Sequence, residues 1–181
     1  MKRTRIIIGL LLCLTLVGCS SVDEDGDDVV ERVKVGDHVP SFSVDIVVPS
    51  AEGKTPSVAE NTLSPEGNVR RSTFSTDRLT GQTVIVLFNT GCSDCQRDLP
   101  LLDAYYRQHQ GDAGFQMVAI SREEPEASVA AFWKAKGLLI PYSAQEDRRI
   151  YNLFASSIIP RIYFVSPQGI VTRIDVEQYK Q

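Results

Sequence analysis

Two cysteines separated by two residues are the part of this sequence best suited to chemistry. They are Cys92 and Cys95, and the chain of 181 residues has two others, Cys13 and Cys19. A disulfide between Cys92 and Cys95 would close a very short loop, and such a bond removes little entropy from the unfolded chain. The bond would therefore stabilise the fold only weakly, and the pair is better suited to reversible thiol–disulfide exchange.

Metal binding is the other chemistry open to two nearby thiols. A tetrahedral zinc site needs four ligands, usually including a second pair of cysteines or histidines. The two histidines, His38 and His109, do not lie at zinc-finger spacing. Copper(I) accepts two thiolates, so a copper chaperone or another non-enzymatic binding module is an alternative to an enzyme. For an enzyme using these thiols we expect no metal and no other cofactor.

The cysteine pair lies where a predicted strand gives way to a predicted helix. Residues 83–89 form a continuous apolar run of β-forming residues, which is typical of a strand buried on both faces. Thr90 and Gly91 interrupt the run, and an amphipathic helix is predicted to start at the cysteines. Its apolar positions are Leu99, Leu101, Leu102 and Tyr105.

A helix start favours the thiolate, which is the reactive form of cysteine. A free thiol has a pKa of about 8.5, and the unpaired N–H groups and dipole of a helix amino terminus stabilise the anion. Cys92, at the junction, is therefore the predicted nucleophile. Cys95 lies almost a turn further along and less exposed. It is the predicted resolving thiol, which would attack Cys92 in a mixed disulfide and release the substrate.

The remaining pattern predicts an α/β domain over residues 35–181. Strands and helices alternate around the cysteines, and two strands joined by a hairpin turn follow, so we expect a central mixed sheet flanked by helices. Residues 49–72 contain three prolines and are predicted to be a loop insertion, with a short strand near Val58. The other predicted elements are strands at 43–48 and 116–121, a helix from Glu124 to Gly137, a short helix at 147–154, and closing strands at 161–165 and 170–176.

The amino terminus resembles the export signal of a bacterial lipoprotein. A basic start precedes the apolar residues 6–17, a stretch too short for a comfortable membrane span. Leu16-Val17-Gly18-Cys19 resembles a lipobox, which implies cleavage of residues 1–18 and lipidation of Cys19. A plain signal peptide in which Cys19 has no role is the alternative. Cleavage and lipidation would leave the central pair as the free thiols of the mature chain.

Acidic residues dominate the stretch after the lipobox. Five of the six residues 23–28 are Asp or Glu, and such a block stays hydrated and disordered. Residues 19–34 are therefore predicted to be a lipidated acidic tether. Acidic residues after the lipidated cysteine resemble the surface-export signal of Bacteroidetes lipoproteins, and the lack of Asp at position 20 resembles outer-membrane sorting in enterobacteria. We expect a cell-envelope lipoprotein facing the periplasm, at the outer membrane or cell surface.

The segment around the cysteines resembles a known family. Phe88-Asn89-Thr90-Gly91-Cys92-Ser93-Asp94-Cys95, followed by Asp98-Leu99-Pro100, is similar to the active site of TlpA/ResA-like thiol–disulfide oxidoreductases. These are extracytoplasmic members of the thioredoxin superfamily, related to the AhpC/TSA and redoxin groups. Gly36-Asp37, with Pro40 and Phe42, resembles their opening motif, and the resemblance spans residues 36–176. It implies a thioredoxin-like fold and a redox-active Cys92–Cys95 disulfide.

The resemblance assigns roles to four further residues. Pro100 matches a proline that kinks the active-site helix. Asp98 matches an acidic residue that tunes the thiols, and as an i,i+3 neighbour of Cys95 it is a candidate proton acceptor. An exposed Asp without a role is the alternative for that residue. Pro160 matches the cis-proline that faces the disulfide and pairs with the substrate backbone, and Ile159 before it is the second candidate substrate-binding residue.

Three positions depart from the family pattern. Gly91 stands where the family often has Trp. Asp94 puts a negative charge near the thiolate, which would oppose its stabilisation. Val86 occupies the place of a buried Asp in thioredoxin, so proton handling is expected to rest on Asp98 or water. The final helix of the family is barely present, because the chain ends five residues after the last predicted strand.

The function expected from these features is the reduction of disulfides through the CxxC dithiol. The implied partners are client proteins or small-molecule disulfides, an upstream membrane reductant of dithiols, and a membrane reached through the lipid anchor. The formal net charge of −4 supplies no basic face for phosphate, so no nucleic-acid partner is expected. We expect a monomer. A peroxiredoxin-like thiol peroxidase is the alternative enzyme, although Pro-x-x-x-Thr-x-x-Cys is absent at both cysteines.

Overall fold

A computed structural model describes residues 29–50 and 69–181. The predicted signal peptide, Cys13, Cys19 and the acidic block lie outside the described residues, as does the strand predicted near Val58. Neither helix in the described ranges is long and apolar enough to cross a membrane.

The described residues form seven strands and two α-helices. The helices are α1 (Ser93–His109) and α2 (Glu126–Lys136), and short 3-10 helices occur at Thr76–Arg78 and Tyr151–Leu153. The strands are β1 (Ser43–Pro49), β2 (Val69–Ser75), β3 (Thr83–Phe88), β4 (Gln116–Ser121), β5 (Tyr142–Ser143), β6 (Arg161–Val165) and β7 (Val171–Val176).

The strands form one mixed sheet in the order β2-β1-β5-β4-β3-β6-β7. β3 pairs in parallel with β4 and antiparallel with β6, and all six of its residues are buried. β6 and β7 form the predicted closing hairpin, in which the Gly169 N–H donates to the Ser166 carbonyl at 2.9 Å. The α/β class and the central mixed sheet are thus confirmed.

Both helices pack on one face of the sheet. β4 and β5 lie in succession to the same side of β3, and right-handed crossovers then place α1 and α2 on the same face. Leu99 and Leu102 of α1 and Trp133 of α2 share a buried cluster with Phe88. Leu101, predicted at an apolar position of the helix, is instead exposed.

The opposite face is covered by segments without long helices. Val33 and Phe42, from the residues before β1, pack there with Phe154 against Ile85 and Leu87 of β3. The helix predicted at 147–154 is reduced to the 3-10 helix Tyr151–Leu153. The Asp147 carboxylate accepts a hydrogen bond from the Arg149 N–H at 2.9 Å, and such a local turn competes with helix formation.

The folded domain includes the end of the predicted tether. Val33 is only 3% exposed, and Glu31 forms a β-bridge with Ala155. Residues 31–34, assigned from sequence to the disordered tether, therefore belong to the folded unit. The apolar side chain of Val33 and the paired carboxylate of Glu31 bind them to the domain, and these contacts outweigh the tendency of the preceding acidic block towards disorder.

The predicted loop at 49–72 ends earlier than expected, because β2 begins at Val69. β2 pairs antiparallel with β1 over seven residues, from Ser43 opposite Ser75 to Pro49 opposite Val69. Its sequence, Val-Arg-Arg-Ser-Thr-Phe-Ser, is largely polar, as an edge strand can be. A search for apolar runs therefore misses it.

The tight contact before β4 predicts a glycine-specific effect on stability. Gly114 has φ +76°, and a Cβ there would lie 2.4 Å from the Thr80 carbonyl oxygen. We expect Gly114→Ala to lower the free energy of unfolding by about 1–3 kcal/mol, measured by urea denaturation. Gly111→Ala is the control, because a Cβ at Gly111 meets no atom within 4 Å. Equal effects of the two substitutions would contradict this account.

Candidate active site

Cys92 caps the amino terminus of α1. The buried strand β3 ends at Phe88, and a turn in which the Cys92 N–H donates to the Asn89 carbonyl at 3.1 Å brings the chain to the helix. The Cys92 sulfur accepts a hydrogen bond from the Cys95 N–H at 3.4 Å. Both cysteines are free thiols. Cys92 is partly exposed, so its sulfur can be reached from solvent at the positive end of the helix dipole.

Cys95 lies beneath Cys92 with none of its surface exposed. Burial of its sulfur raises the pKa of its thiol far above the ordinary range, and the nearby charge of Asp98 adds a smaller contribution in the same direction. Cys95 is therefore protonated at neutral pH while Cys92 is accessible. The two positions match the predicted order of attack and resolution, and the catalytic roles themselves stay predictions.

The loop before β6 faces the Cys92 sulfur. The Ile159–Pro160 peptide bond is cis, as the resemblance implied. The Cys92 thiol donates to the Ile159 carbonyl oxygen at 3.7 Å. This carbonyl and the Cys92 sulfur together offer a substrate one reactive atom and one backbone acceptor. Substrate binding by Ile159 and Pro160 stays a prediction.

Asp98 is buried and fully engaged, unlike the exposed Asp of the alternative interpretation. It is 1% exposed, and it accepts hydrogen bonds from the Tyr179 N–H at 2.7 Å and from Arg97 Nε at 2.7 Å. It thereby fixes the residues after β7 against α1. This anchoring accounts for the burial of Asp98, and a role as proton acceptor stays a prediction.

Arg97 contacts several groups beside the cysteines and was not identified from the sequence. Its guanidinium bonds the Asp94 carboxylate at 2.6 Å, the Asp98 carboxylate at 2.7 Å and the Glu177 carbonyl at 2.8 Å. Asp94, the residue expected to bring a negative charge near the thiolate, is thus paired with Arg97. The i,i+3 spacing of Asp94 and Arg97 on a helix start was the available signal.

Glu124 is a second missed residue, and it holds the loop that leads to Cys92. Its carboxylate is 7% exposed and accepts from the Thr90 N–H at 2.8 Å and from the Thr90 hydroxyl. The Gln96 amide donates to the Thr90 carbonyl at 2.7 Å, so all three polar groups of Thr90 are fixed. The parallel register of β3 and β4 brings Thr90 and Glu124 together, and no local pattern indicates it.

Comparison of sequences finds relatives over nearly the whole described chain. The family model described as Redoxin matches residues 34–181, a range that includes both cysteines and Pro160. The thiol-disulfide oxidoreductase ResA of Bacillus cereus is 22% identical over 185 residues, covering 100% of this chain and 94% of that protein.

Comparison of structures finds the same architecture. The solution structure of a Bacteroides thetaiotaomicron protein, provisionally described as a protein disulfide isomerase, has a TM-score of 0.66 at 18% identity and covers 83% of both chains. A thiol:disulfide interchange protein of the thioredoxin family from Chlorobium tepidum has a TM-score of 0.56 at 20% identity, covering 81% of this chain and 90% of that one. The expected thioredoxin-like fold is thereby confirmed.

The difference in burial between the two thiols predicts selective alkylation. At pH 7.5, iodoacetamide should modify Cys92 about tenfold or more faster than Cys95, because only a reachable thiolate reacts. Since the pKa of the Cys95 thiol is raised, bringing the pH to 9 should increase Cys95 labelling in urea and not in the native protein. Peptide mass spectrometry measures both sites. Equal native labelling of the two cysteines would contradict the geometry.

Proposed function

Since the chain belongs to the Redoxin family and is a thiol–disulfide oxidoreductase, we propose that it reduces disulfide bonds of client proteins through the Cys92–Cys95 dithiol. The arrangement of the two sulfurs is the observation that carries this proposal. Cys92 is reachable at the start of α1 and faces the Ile159 carbonyl, while Cys95 is buried directly beneath it.

The exchange proceeds in two steps that balance in atoms and electrons. The Cys92 thiolate attacks one sulfur of the client disulfide, the client S–S bond breaks, and a mixed disulfide and a client thiolate form. Cys95 then loses its proton and attacks the Cys92 sulfur, which releases the second client sulfur as a thiolate. The client gains two electrons and two protons, and the protein is left with a Cys92–Cys95 disulfide.

The raised pKa of Cys95 shapes the second step. The buried thiol needs a base, and the client thiolate released in the first step can take the proton. Continued turnover requires an upstream dithiol reductant, for which a membrane protein is the proposed class.

The proposed location is the cell envelope, with the domain outside the cytoplasm on a lipid anchor. The basic start, the apolar residues 6–17 and the lipobox-like residues ending at Cys19 support this proposal. The acidic residues 23–28 suit a hydrated tether between lipid and domain. Expression of the whole chain in a bacterium with labelled palmitate should label the protein, and Cys19→Ala should abolish the label. A Cys13→Ala control should keep it, and labelling that survives Cys19→Ala would refute lipidation at that residue.

Catalysed reduction of insulin tests the proposed activity. With dithiothreitol as electron source, the wild-type protein should accelerate insulin reduction, and Cys92→Ser should abolish the acceleration because the attacking sulfur is gone. Ser93→Ala, between the two cysteines, should leave it within about twofold. After dithiothreitol has been removed, pre-reduced Cys95→Ala should accumulate a mixed disulfide between Cys92 and insulin, visible on a non-reducing gel.

Three outcomes would count against the proposal. An inert wild-type protein would refute reductase activity. A measured potential as oxidising as about −120 mV would reverse the direction of electron flow. Consumption of hydrogen peroxide far faster than by a free thiol would favour a thiol peroxidase.

A further inference from the structure

Arg161, the residue after the cis-proline, is the largest fully buried side chain of the described residues, with none of its surface exposed. A buried guanidinium is costly unless its charge is paired and its N–H groups are bonded. Glu31 provides the charge, in a two-pronged contact of 2.7 Å from Nη1 and 2.9 Å from Nη2. Such parallel bonds fix the orientation of the guanidinium plane.

The remaining donors of Arg161 hold the loop that faces Cys92. Arg161 Nε donates to the carbonyls of Ser157 and Ile158 at 3.0 Å each, and Nη2 donates to the Ser157 carbonyl at 2.8 Å. The Ile158 carbonyl also accepts from the Tyr151 hydroxyl at 2.8 Å. Ile158 has φ +71°, a conformation that a β-branched residue rarely adopts. The loop is therefore held in an unusual shape by the side chain that follows it.

Glu31 itself is held by the segment just before this loop. The Arg32 N–H donates to the Phe154 carbonyl at 2.9 Å, and the Ser156 N–H donates to the Val30 carbonyl at 3.0 Å. The Val30 N–H donates to the Ser156 hydroxyl at 2.8 Å. Residues 30–32 thus run beside residues 154–156 and deliver the Glu31 carboxylate to Arg161.

We propose that Glu31 and Arg161 are positioning residues for client binding, so that the segment leading into the domain is a working part of the active site. Arg161 keeps the Ser157 and Ile158 carbonyls turned inward, and the Ile159 carbonyl then faces the Cys92 sulfur. Without Glu31 the guanidinium is a buried charge lacking its counter-ion, and the loop loses the anchor that sets its shape. This inference rests on the proposed reduction of client proteins.

Loss of the Glu31–Arg161 pair should weaken the binding of large clients more than it slows the reaction of the Cys92 sulfur. A protein client must align its backbone with the loop, whereas a small aromatic disulfide reagent needs only the exposed sulfur. In the full chain, Glu31→Gln should raise the KM for insulin about tenfold, since misplaced binding groups weaken productive alignment. The rate at which Cys92 reacts with the small reagent should change by less than about twofold, because the helix start is untouched.

Glu126→Gln is the matched control for loss of a Glu–Arg pair. Glu126 bonds Arg71 at 2.5 Å with its side chain 48% exposed, close to the 39% of Glu31, but Arg71 lies on the edge strand β2. The control should leave both the insulin KM and the reagent rate at their wild-type values. Equal insulin KM values for Glu31→Gln and Glu126→Gln would overturn the positioning role. If the wild-type protein nevertheless reduces insulin, the proposed function would still be supported.

Hydrogen exchange tests the positioning role without a client, so it can be measured even if the wild-type protein does not reduce insulin. Backbone amides of residues 157–159, 161 and 162 should exchange about tenfold faster in Glu31→Gln than in Glu126→Gln, because the anchor of the loop is loosened. Arg161→Met is the second variant, and adding Glu31→Gln to it should cause little further change if the pair acts as a unit. Unchanged exchange in Glu31→Gln would overturn the proposal.

Discussion

The burial of β3 on both faces is the constraint on which the active site depends. Thr83–Phe88 is enclosed between the helices on one side and the segments around Phe42 and Phe154 on the other, and it pairs with a neighbour at each edge. A strand held in this way fixes the point at which the chain leaves the sheet. Cys92 lies four residues after this point, so the position of its sulfur is constrained as well.

Buried charges then attach the irregular segments to this frame. Asp98 accepts from the Tyr179 N–H, Asp103 from the N–H groups of Leu139 and Ile140, and Glu124 from the Thr90 N–H. In each case a carboxylate on or beside a helix satisfies the backbone of a segment outside the helices and strands. A carboxylate that accepts backbone N–H groups is well stabilised even when it is buried. Arg161 performs the converse task, donating to loop carbonyls while Glu31 balances its charge.

Asp98, the expected proton acceptor, is one of these anchoring carboxylates. Asp98 lies one helical turn from Cys95, and spacing alone suggests that it tunes the thiol. Its oxygens are occupied by the Tyr179 N–H and by Arg97, and burial is the larger cause of the raised pKa of Cys95. The same Arg97 pairs with Asp94. One guanidinium is therefore shared by the two carboxylates near the helix start.

The sequence by itself determined the redox pair, its place at a strand–helix junction, and the order of most strands and helices. These features are encoded in short windows, because a buried strand, a helix start and a hairpin turn each depend on a few consecutive residues. It gave no sign of β2, whose polar edge-strand residues lack an apolar run, or of the contacts of residues 31–34 with the domain.

Only the tertiary structure decided which polar groups meet. Glu31 and Arg161 are 130 residues apart in sequence, Asp98 and Tyr179 are 81 apart, and Thr90 and Glu124 are 34 apart. A charged residue carries no periodic signal that identifies its partner. The partner is set when the sheet order and the path of the connecting segments bring the two groups within hydrogen-bonding distance.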